Sequence, residues 1–155
     1  ASDFQADIMK ARTVAMNKNI CVTMCRSANA GNTNPTCSAG SDWQPGWIMF
    51  LNPACDSAAN AVPTDPNDPA NPSPRLNLIG ARVGTEPNIF LQGQVSAPAR
   101  FMFNPRGIST GNTGLYRSIY ISDNNPLTNR YAKDVCVDIL SRTRTVPSGT
   151  ACNAY

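Results

Sequence analysis

The segment ASDFQADIMKARTVAMNKN, residues 1–19, runs almost directly into ICVTMC, residues 20–25. In the first segment, apolar residues recur at steps of four, three and four, which places them on one side of a helix. These residues are Phe4, Ile8, Ala11 and Ala15. In the second segment, apolar residues alternate at the period of a β-strand. The sequence therefore predicts an amphipathic helix that ends near Asn19 and lies on a sheet, because its apolar stripe is too small to be stable alone.

The rest of the chain is rich in strand patterns separated by turn-forming residues. After the polar loop of residues 27–45, apolar or alternating runs follow one another without a second helical pattern. They are GWIMFL (46–51), RLNLIGARV (75–83), NIFLQGQV (88–95), ARFMF (99–103), LYRSIYIS (115–122) and YAKDVCVDILSRTRTV (131–146). One N-terminal helix followed by about six or seven strands with short turns predicts an α+β fold in which the helix packs on antiparallel sheets.

The length of the chain predicts a single domain over residues 1–155, since 155 residues suffice for one hydrophobic core. Residues 1–19 form its helix and residues 20–155 its β-rich head. Between residues 52 and 74 the chain contains six prolines, which neither continue a helix nor fill a central strand. We expect this segment to be a surface excursion tethered by Cys55.

Six cysteines, an even number, occur in a chain that has no histidine. The lack of histidine removes the mixed cysteine and histidine zinc sites, and the closely spaced pairs of a four-cysteine site are absent. We therefore expect disulfides, which persist in the periplasm or outside the cell. Spacing favours Cys136 with Cys152 and Cys25 with Cys37. The disulfide candidates are Cys21, Cys25, Cys37, Cys55, Cys136 and Cys152.

The sequence shows no run of about 18 apolar residues and no charged-then-apolar signal peptide. We therefore expect the chain as given to be soluble. Because it begins inside a helical pattern, we also expect that an upstream segment precedes it.

Several short motifs, taken in their order, resemble the GspH/FimT family of minor pilins and pseudopilins over most of the chain. In that family a helix with an AR-x-x-A pattern runs into a strand of the V-T-L-C kind. The equivalents here are Ala11, Arg12, Ala15, Val22, Thr23, Met24 and Cys25. A tryptophan-containing loop then leads into a G-W-hydrophobic strand. Its equivalents here are Trp43, Gly46, Trp47, Ile48, Met49 and Phe50.

Two further elements of the family follow in the second half of the chain. A phenylalanine strand closed by glycine corresponds to Phe101, Phe103 and Gly107. A G-R-x-R element near the end corresponds to Ser141, Arg142, Thr143 and Arg144, with Ser141 where glycine is common. A second departure is LNPACDSAAN (51–60) and the proline-rich stretch after it, where the family has an aspartate-rich turn.

The resemblance implies a disulfide-stapled pilin-like domain that assembles with minor and major pilins, and it implies no cofactor. Residues 1–19 would be the C-terminal part of a longer helix, whose apolar half anchors the precursor in the inner membrane and later packs in the filament. The implied function is that of a minor pilin of a type IV pilus, in assembly or initiation at the tip, in the periplasm or the extracellular pilus. A type II secretion pseudopilin is an alternative. Lys10 and Arg12 are candidate subunit contacts or simply a solvated helix face.

A second alternative is binding of double-stranded DNA during natural transformation, which the FimT branch of the family implies. Residues 75–155 contain nine Lys or Arg against four Asp or Glu, whereas residues 1–74 contain four against six. Closely spaced cations can neutralise successive phosphates. The candidates are Arg142 and Arg144, predicted on one side of a strand, with Arg130 and Lys133 nearby in sequence. Asp134 and Asp138 interrupt this basic cluster.

Catalysis and metal binding are poorly supported by the sequence. Without histidine there is no Ser-His-Asp or Cys-His arrangement, and Glu86 is the only glutamate. A calcium loop around Asp65 and Asp68 lacks the glycine and the number of carboxylates that such loops use. We therefore expect neither an enzyme nor a metal site.

Two tryptophans flank Gly46 and could form a stacking platform for sugars or bases. Trp47 opens an apolar strand, so we expect it in the core. Trp43 is predicted to be the freer of the two.

Overall fold

In the computed structural model of the chain, the described residues form one α-helix and eight β-strands. Helix α1 is Ser2–Lys18. The strands are β1 (Val22–Arg26), β2 (Gly46–Leu51), β3 (Leu78–Val83), β4 (Ile89–Gly93), β5 (Arg100–Phe103), β6 (Gly114–Tyr120), β7 (Lys133–Val137) and β8 (Thr143–Pro147). The described residues are 1–63, 77–84, 89–93, 99–109, 114–120, 132–138, 140–147, 150 and 152; of these, 89, 90, 92, 93 and 114–120 are described by their backbone alone.

The strands form two four-stranded sheets with the orders β3-β2-β1-β5 and β4-β6-β7-β8. Every pair of neighbouring strands in both sheets is antiparallel. One helix on antiparallel strands confirms the predicted α+β fold.

Helix α1 buries the apolar stripe that its sequence predicts. The side chains of Phe4, Ile8, Ala11 and Ala15 are fully buried. The helix is capped by Asn19, which adopts the left-handed conformation (φ 54°, ψ 38°) and donates its backbone N–H to the carbonyl of Ala15. Asparagine tolerates this conformation better than most residues, so the chain reverses within three residues into β1. The predicted helix and its end near Asn19 are confirmed.

The main core lies where α1 contacts both sheets. The helix packs on β1 and β5 of the first sheet and on β8 of the second. The ring centroid of Phe4 lies 5.0 Å from that of Trp43 and 5.4 Å from that of Trp47, both in edge-to-face geometry. Val135 and Val137 of β7 belong to the same buried cluster. A single apolar core therefore joins the helix to both sheets.

The outer face of the first sheet is covered by loops rather than by a helix. Ile48 and Phe50 of β2 point to this face and pack with Ala30 and Val62 from the flanking loops. Both faces of β1 and β2 are thus buried, as their continuous burial patterns show. Loops have little apolar surface of their own to hold them in such a position, so other interactions must fix them.

Disulfides and polar side chains fix these covering loops. Cys21–Cys55 ties residues 52–60 to the start of β1, and Cys25–Cys37 ties residues 27–45 to its end. The Arg100 guanidinium donates to the carbonyls of Ser57 (2.9 Å) and Ala59 (3.0 Å). Cross-linking of this kind stabilises a fold mainly by restricting the unfolded chain.

The third disulfide, Cys136–Cys152, links β7 to the C-terminal segment. The structure thus joins the two pairs that spacing favours, Cys25 with Cys37 and Cys136 with Cys152, and pairs Cys21 with Cys55. The described part of the proline-rich excursion, residues 52–63, is mostly exposed, and Cys55 tethers it as predicted. Residues 64–74 of the excursion lie outside the described residues.

The stretch YAKDVCVDILSRTRTV, predicted as one strand, is two strands, β7 and β8, joined by a tight turn. Asp138 organises this turn: its Oδ1 accepts the N–H of Leu140 (2.9 Å) and of Arg142 (2.7 Å). Its Oδ2 also accepts the Arg142 Nε–H (2.6 Å). The prediction of a single strand was wrong because alternation continues through a turn when an aspartate side chain supplies its hydrogen bonds.

Ser141 stands where the resemblance to the GspH/FimT family implies a glycine, and its backbone conformation favours glycine. Its φ of 61° lies in the left-handed region, where residues with a Cβ are strained. The side chain is fully buried, and its Oγ accepts the backbone N–H of Ser109 at 2.7 Å. This hydrogen bond joins the β7–β8 turn to the chain that follows β5 and offsets part of the backbone strain.

Substitutions at Ser141 should separate the two effects. Ser141→Ala keeps the strained Cβ and leaves the Ser109 N–H without this acceptor, so the free energy of unfolding should fall by about 1–3 kcal/mol. Ser141→Gly removes the same acceptor but relieves about 1 kcal/mol of strain, so it should be the more stable variant. Urea denaturation measures both. Equal stability of the two variants would contradict the strain, and wild-type stability of Ser141→Ala would contradict the role of the hydroxyl.

The Asp138 carboxylate is ionised at lower pH than an ordinary aspartate. Burial alone raises its pKa, but the hydrogen bonds and charge of Arg142, with the N–H of Leu140, outweigh burial and lower the pKa of Asp138. A pKa lower in the folded than in the unfolded chain adds stability above the unfolded value, about 3.9, and this stability is lost as pH falls through the folded pKa.

Asp138→Asn should therefore change how stability depends on pH. The wild type should exceed the variant in free energy of unfolding most clearly above about pH 4, and the difference should shrink as the pH falls below that value. Urea denaturation at several pH values between about 7 and about 2 measures this. When Arg142→Gln is present in both proteins, the pH-dependent part of this difference in free energy of unfolding should be smaller, because the Arg142 cation is gone. A difference that stayed constant with pH would show that the Asp138 charge contributes nothing.

Candidate subunit and nucleic-acid contact surfaces

The first turns of α1 are held to the first sheet by a buried carboxylate that sequence reasoning missed. Asp7 Oδ2 accepts the Trp47 Nε1–H at 3.0 Å and faces Arg82 Nε and Nη2, each at 3.3 Å. Arg82 also pairs with Asp3 at 3.4 Å. A sequence signal existed: Asp7 lies three residues after Phe4 and four before Ala11, so it falls within the buried stripe.

Arg12, predicted as a possible subunit contact, is used within the head. Its side chain is half-buried, and its Nε donates to the carbonyl of Gly107 at 2.9 Å. The AR-x-x-A helix motif and the glycine that closes the phenylalanine strand are therefore in direct contact. Lys10 is exposed on the helix, as predicted.

Gly107 lies where the helix meets the turn of residues 104–107, which follows β5 and is called the β5 turn. Its φ is 73°, and a Cβ at this position would lie 2.7 Å from Met16 Sδ and 3.0 Å from Arg12 Nε. The chain reverses over residues 104–107, where the Gly107 backbone N–H donates to the carbonyl of Asn104 at 2.8 Å. Glycine adopts this conformation without strain and lacks the Cβ that would displace the Met16 and Arg12 side chains.

The predicted basic cluster is divided by the structure. Arg142 lies in the β7–β8 turn, not on the strand with Arg144, and its exposed side chain pairs with Asp138. Arg144 is half-buried on β8 and lies in register with Cys136. Arg130 lies outside the described residues. Strand β8 begins at residue 143, so Arg144 lies on the strand and Arg142 immediately before it, and binding of DNA by these arginines stays a prediction.

Lys133 lies at the other end of the β7–β8 pair. It is exposed and in register with Pro147, three positions from the pair that contains Arg144. Three positions correspond to about 10 Å along a strand and an odd number of residues, so Lys133 and Arg144 occupy opposite faces of the sheet. The structure does not bring Lys133 together with Arg142.

A different group of basic residues is brought together by the two turns. The Ser109 N–H to Ser141 Oγ hydrogen bond places the β5 turn beside the β7–β8 turn, and Gly107 contacts α1. We call the surface formed where these segments meet the two-turn surface. It consists of Arg12, Met16, Arg106, Ile108, Leu140 and Arg142. No local sequence pattern could have indicated it, because three distant segments contribute.

The tryptophans do not form an exposed platform. Trp43, predicted to be the freer of the two, is fully buried, and Trp47 is buried as predicted. The prediction for Trp43 was wrong because the loop that carries it folds inward, with the Trp43 backbone N–H donating to the carbonyl of Leu91 at 2.8 Å. Gly46 between them has a φ of 130°, and a Cβ there would lie 2.3 Å from the Arg82 carbonyl oxygen.

Metal binding and membrane crossing can be addressed only for the described part of the chain. There, no group of three His, Cys, Asp or Glu side chains is placed to hold a metal ion. Asp65 and Asp68, the candidate calcium ligands, lie outside it. In the described part of the chain, no helix is long and apolar enough to cross a membrane.

Comparison with known proteins gives a family and a fold. The family model described as Type II transport protein GspH matches residues 1–141. Two crystal structures of the type IV minor pilin FimU from Pseudomonas aeruginosa strain PAO1 are similar to the chain. One has a TM-score of 0.57 at 11% identity, over 97% of this chain and 95% of that chain. The other has a TM-score of 0.60 at 10% identity, over 97% and 90%. No curated protein sequence gives a significant match.

At these identities the structural likeness concerns the fold, whereas the family model covers most of the chain. Together they agree with the motifs in the helix, the G-W strand and the phenylalanine strand. The chain therefore belongs to the GspH family and has the fold of a type IV minor pilin.

Proposed function

We propose that the chain is a minor subunit of a type IV pilus that acts in assembly or initiation of the filament at its tip. The observation that carries this proposal is the seating of α1 on both sheets of a cross-linked head, in a fold similar to that of the FimU chain in its crystal structure. Minor and major pilins are the proposed partners, and the periplasm and the extracellular pilus the proposed locations.

We further propose that residues 1–155 act as one pilin-like domain. Residues 1–19 then form the C-terminal part of a longer helix, whose apolar upstream half anchors the precursor in the inner membrane. Such a helix must carry its head as a rigid unit when it packs in a filament. The Asp7 network at one end of α1 and the hydrogen bond of Arg12 to Gly107 further along support this rigidity.

A catalytic role is not part of the proposal. Pilins are structural subunits, and two buried polar side chains of this chain are bonded within the fold. Asp7 bonds Trp47 and Arg82, and Asn52 donates to Thr23 Oγ1 at 3.0 Å. The chain also has no histidine to act as a general base.

Fractionation of surface filaments in the native host tests the proposal. The protein should be detected by immunoblot in sheared filaments, and deletion of its gene should reduce the number of pili. Phe4→Ala removes a fully buried ring at a cost of about 3–5 kcal/mol, so less protein should be incorporated. Thr13→Ala, at an exposed helix position, is the matched control and should be incorporated normally.

The same experiment distinguishes the secretion alternative. Normal pili combined with a loss of secreted enzymes in the deletion strain would favour a type II secretion pseudopilin. Complete absence of the protein from filaments, with pili and secretion unchanged, would contradict both assembly roles.

DNA binding for natural transformation is the second candidate function. The observation in its favour is that Arg142 is 55% exposed on the same surface as Arg106, in the basic half of the chain. Against it, Asp138 neutralises part of the Arg142 charge, and the match to the family model ends at residue 141, before the two arginines of the element. We therefore rank it below filament assembly.

A mobility shift with double-stranded DNA at low and moderate salt tests this function. If the arginines bind phosphates, Arg142→Gln combined with Arg144→Gln should weaken binding. The double variant should also reduce the slope of log affinity against log salt concentration, by about one for each phosphate that is no longer neutralised. Lys10→Gln combined with Lys18→Gln removes the same charge from exposed helix positions and should bind like the wild type. Absence of binding by the wild type, or binding indifferent to salt, would contradict the DNA function.

A further inference from the structure

The two-turn surface exposes three apolar side chains that come from three separate segments. Met16 of α1 is 41% exposed, Ile108 after β5 is 39% exposed and Leu140 of the β7–β8 turn is 45% exposed. Single exposed apolar residues are ordinary, whereas several that distant segments bring to one surface make a candidate interaction site.

Interactions beneath these side chains join the three segments that carry them. Met16 packs on Gly107, the residue before Ile108. Ser109, the residue after Ile108, bonds Ser141, which follows Leu140. Met16 makes one of these contacts itself. Ile108 and Leu140 are each next in sequence to a residue that joins two of the segments.

The surface is also held rigidly. Asn104 Oδ1 accepts the N–H groups of Arg106 (2.9 Å) and Ile108 (3.1 Å), and Asp138 fixes the neighbouring turn in the same way. A surface whose loops are ordered before binding loses less conformational entropy when a partner binds.

Basic side chains come from the same three segments as the apolar group. Arg12, Arg106 and Arg142 contribute three positive charges. Among the described residues, Arg142 of this surface forms an ion pair with Asp138. The Asp138 side chain is only 9% exposed, so it offers little negative charge to the exterior. A complementary partner therefore presents carboxylates around apolar side chains.

We propose that the two-turn surface is a docking site for the head of another subunit of the same filament, through a segment that carries Asp or Glu beside apolar side chains. This inference rests on the proposed function and adds to it the surface and the chemistry of its partner. A protein fits better than nucleic acid because phosphates would satisfy the arginines but leave Met16, Ile108 and Leu140 without an apolar partner.

Photocrosslinking in assembled filaments tests the site. The full-length protein would carry benzoylphenylalanine at Ile108 or at Leu140 in the native host, and sheared filaments would be irradiated and analysed by mass spectrometry. Both positions should crosslink to a peptide of another pilin that contains Asp or Glu. Val83 is the control, since it is 53% exposed but lies on β3, at the opposite edge of the first sheet from β5.

Charge variants test the recognition. Arg106→Glu should lower the crosslink yield at Ile108 about threefold or more, whereas Arg106→Lys keeps the charge and should lower it less. The amount of protein in the filaments is measured in each case, so that the yield is expressed per incorporated subunit.

The outcomes separate this inference from the function on which it rests. Filaments that contain the protein but show no crosslink at Ile108 and Leu140 would overturn the docking site and leave the filament role standing. Crosslinks to DNA or lipid, or yields unaffected by Arg106→Glu, would also overturn it. If the protein is absent from filaments altogether, the filament role itself fails.

Discussion

The burial of one stripe of α1 against both sheets is the constraint on which the rest of the structure depends. The stripe is short, and its alanines allow the helix to approach the sheets closely. Phe4 is its largest side chain and packs against Trp43, Trp47 and Phe101. Because both sheets share this core, neither can bury its apolar face without the helix, and the helix has no comparable stability without them.

The polar interactions of α1 fix how it lies on this core. Apolar packing alone is non-directional, whereas the Asp7 carboxylate must reach the Trp47 indole and Arg82 together. Further along the helix, Arg12 reaches the Gly107 carbonyl. These hydrogen bonds set the axial position and rotation of the helix, a property that a filament subunit requires if its helix is packed in the filament and its head is displayed outside.

The first sheet is buried on both faces, and its outer cover is made of loops. A polar, proline-rich loop offers little apolar surface, so disulfides and the Arg100 guanidinium hold it in place. The two-turn surface depends on similar local devices, with Asn104, Asp138 and Ser141 satisfying turn hydrogen bonds through their side chains. On the outer face of the first sheet, loops held by disulfides and Arg100 thus take the place of the second helical layer that covers a sheet in other folds.

The sequence by itself determined the helix and its buried stripe, the family, the α+β class and two disulfide pairs, because these follow from periodicity, residue order and short spacing. It also located most strands, but it merged β7 with β8, since alternation does not show where an aspartate closes a turn. Only the tertiary structure decided that Trp43 is buried, that Asp7 binds Arg82 and that Lys133 is separated from Arg142. It alone placed Arg12, Arg106 and Arg142 on one surface, because interactions between distant segments depend on packing and leave no local pattern in the chain.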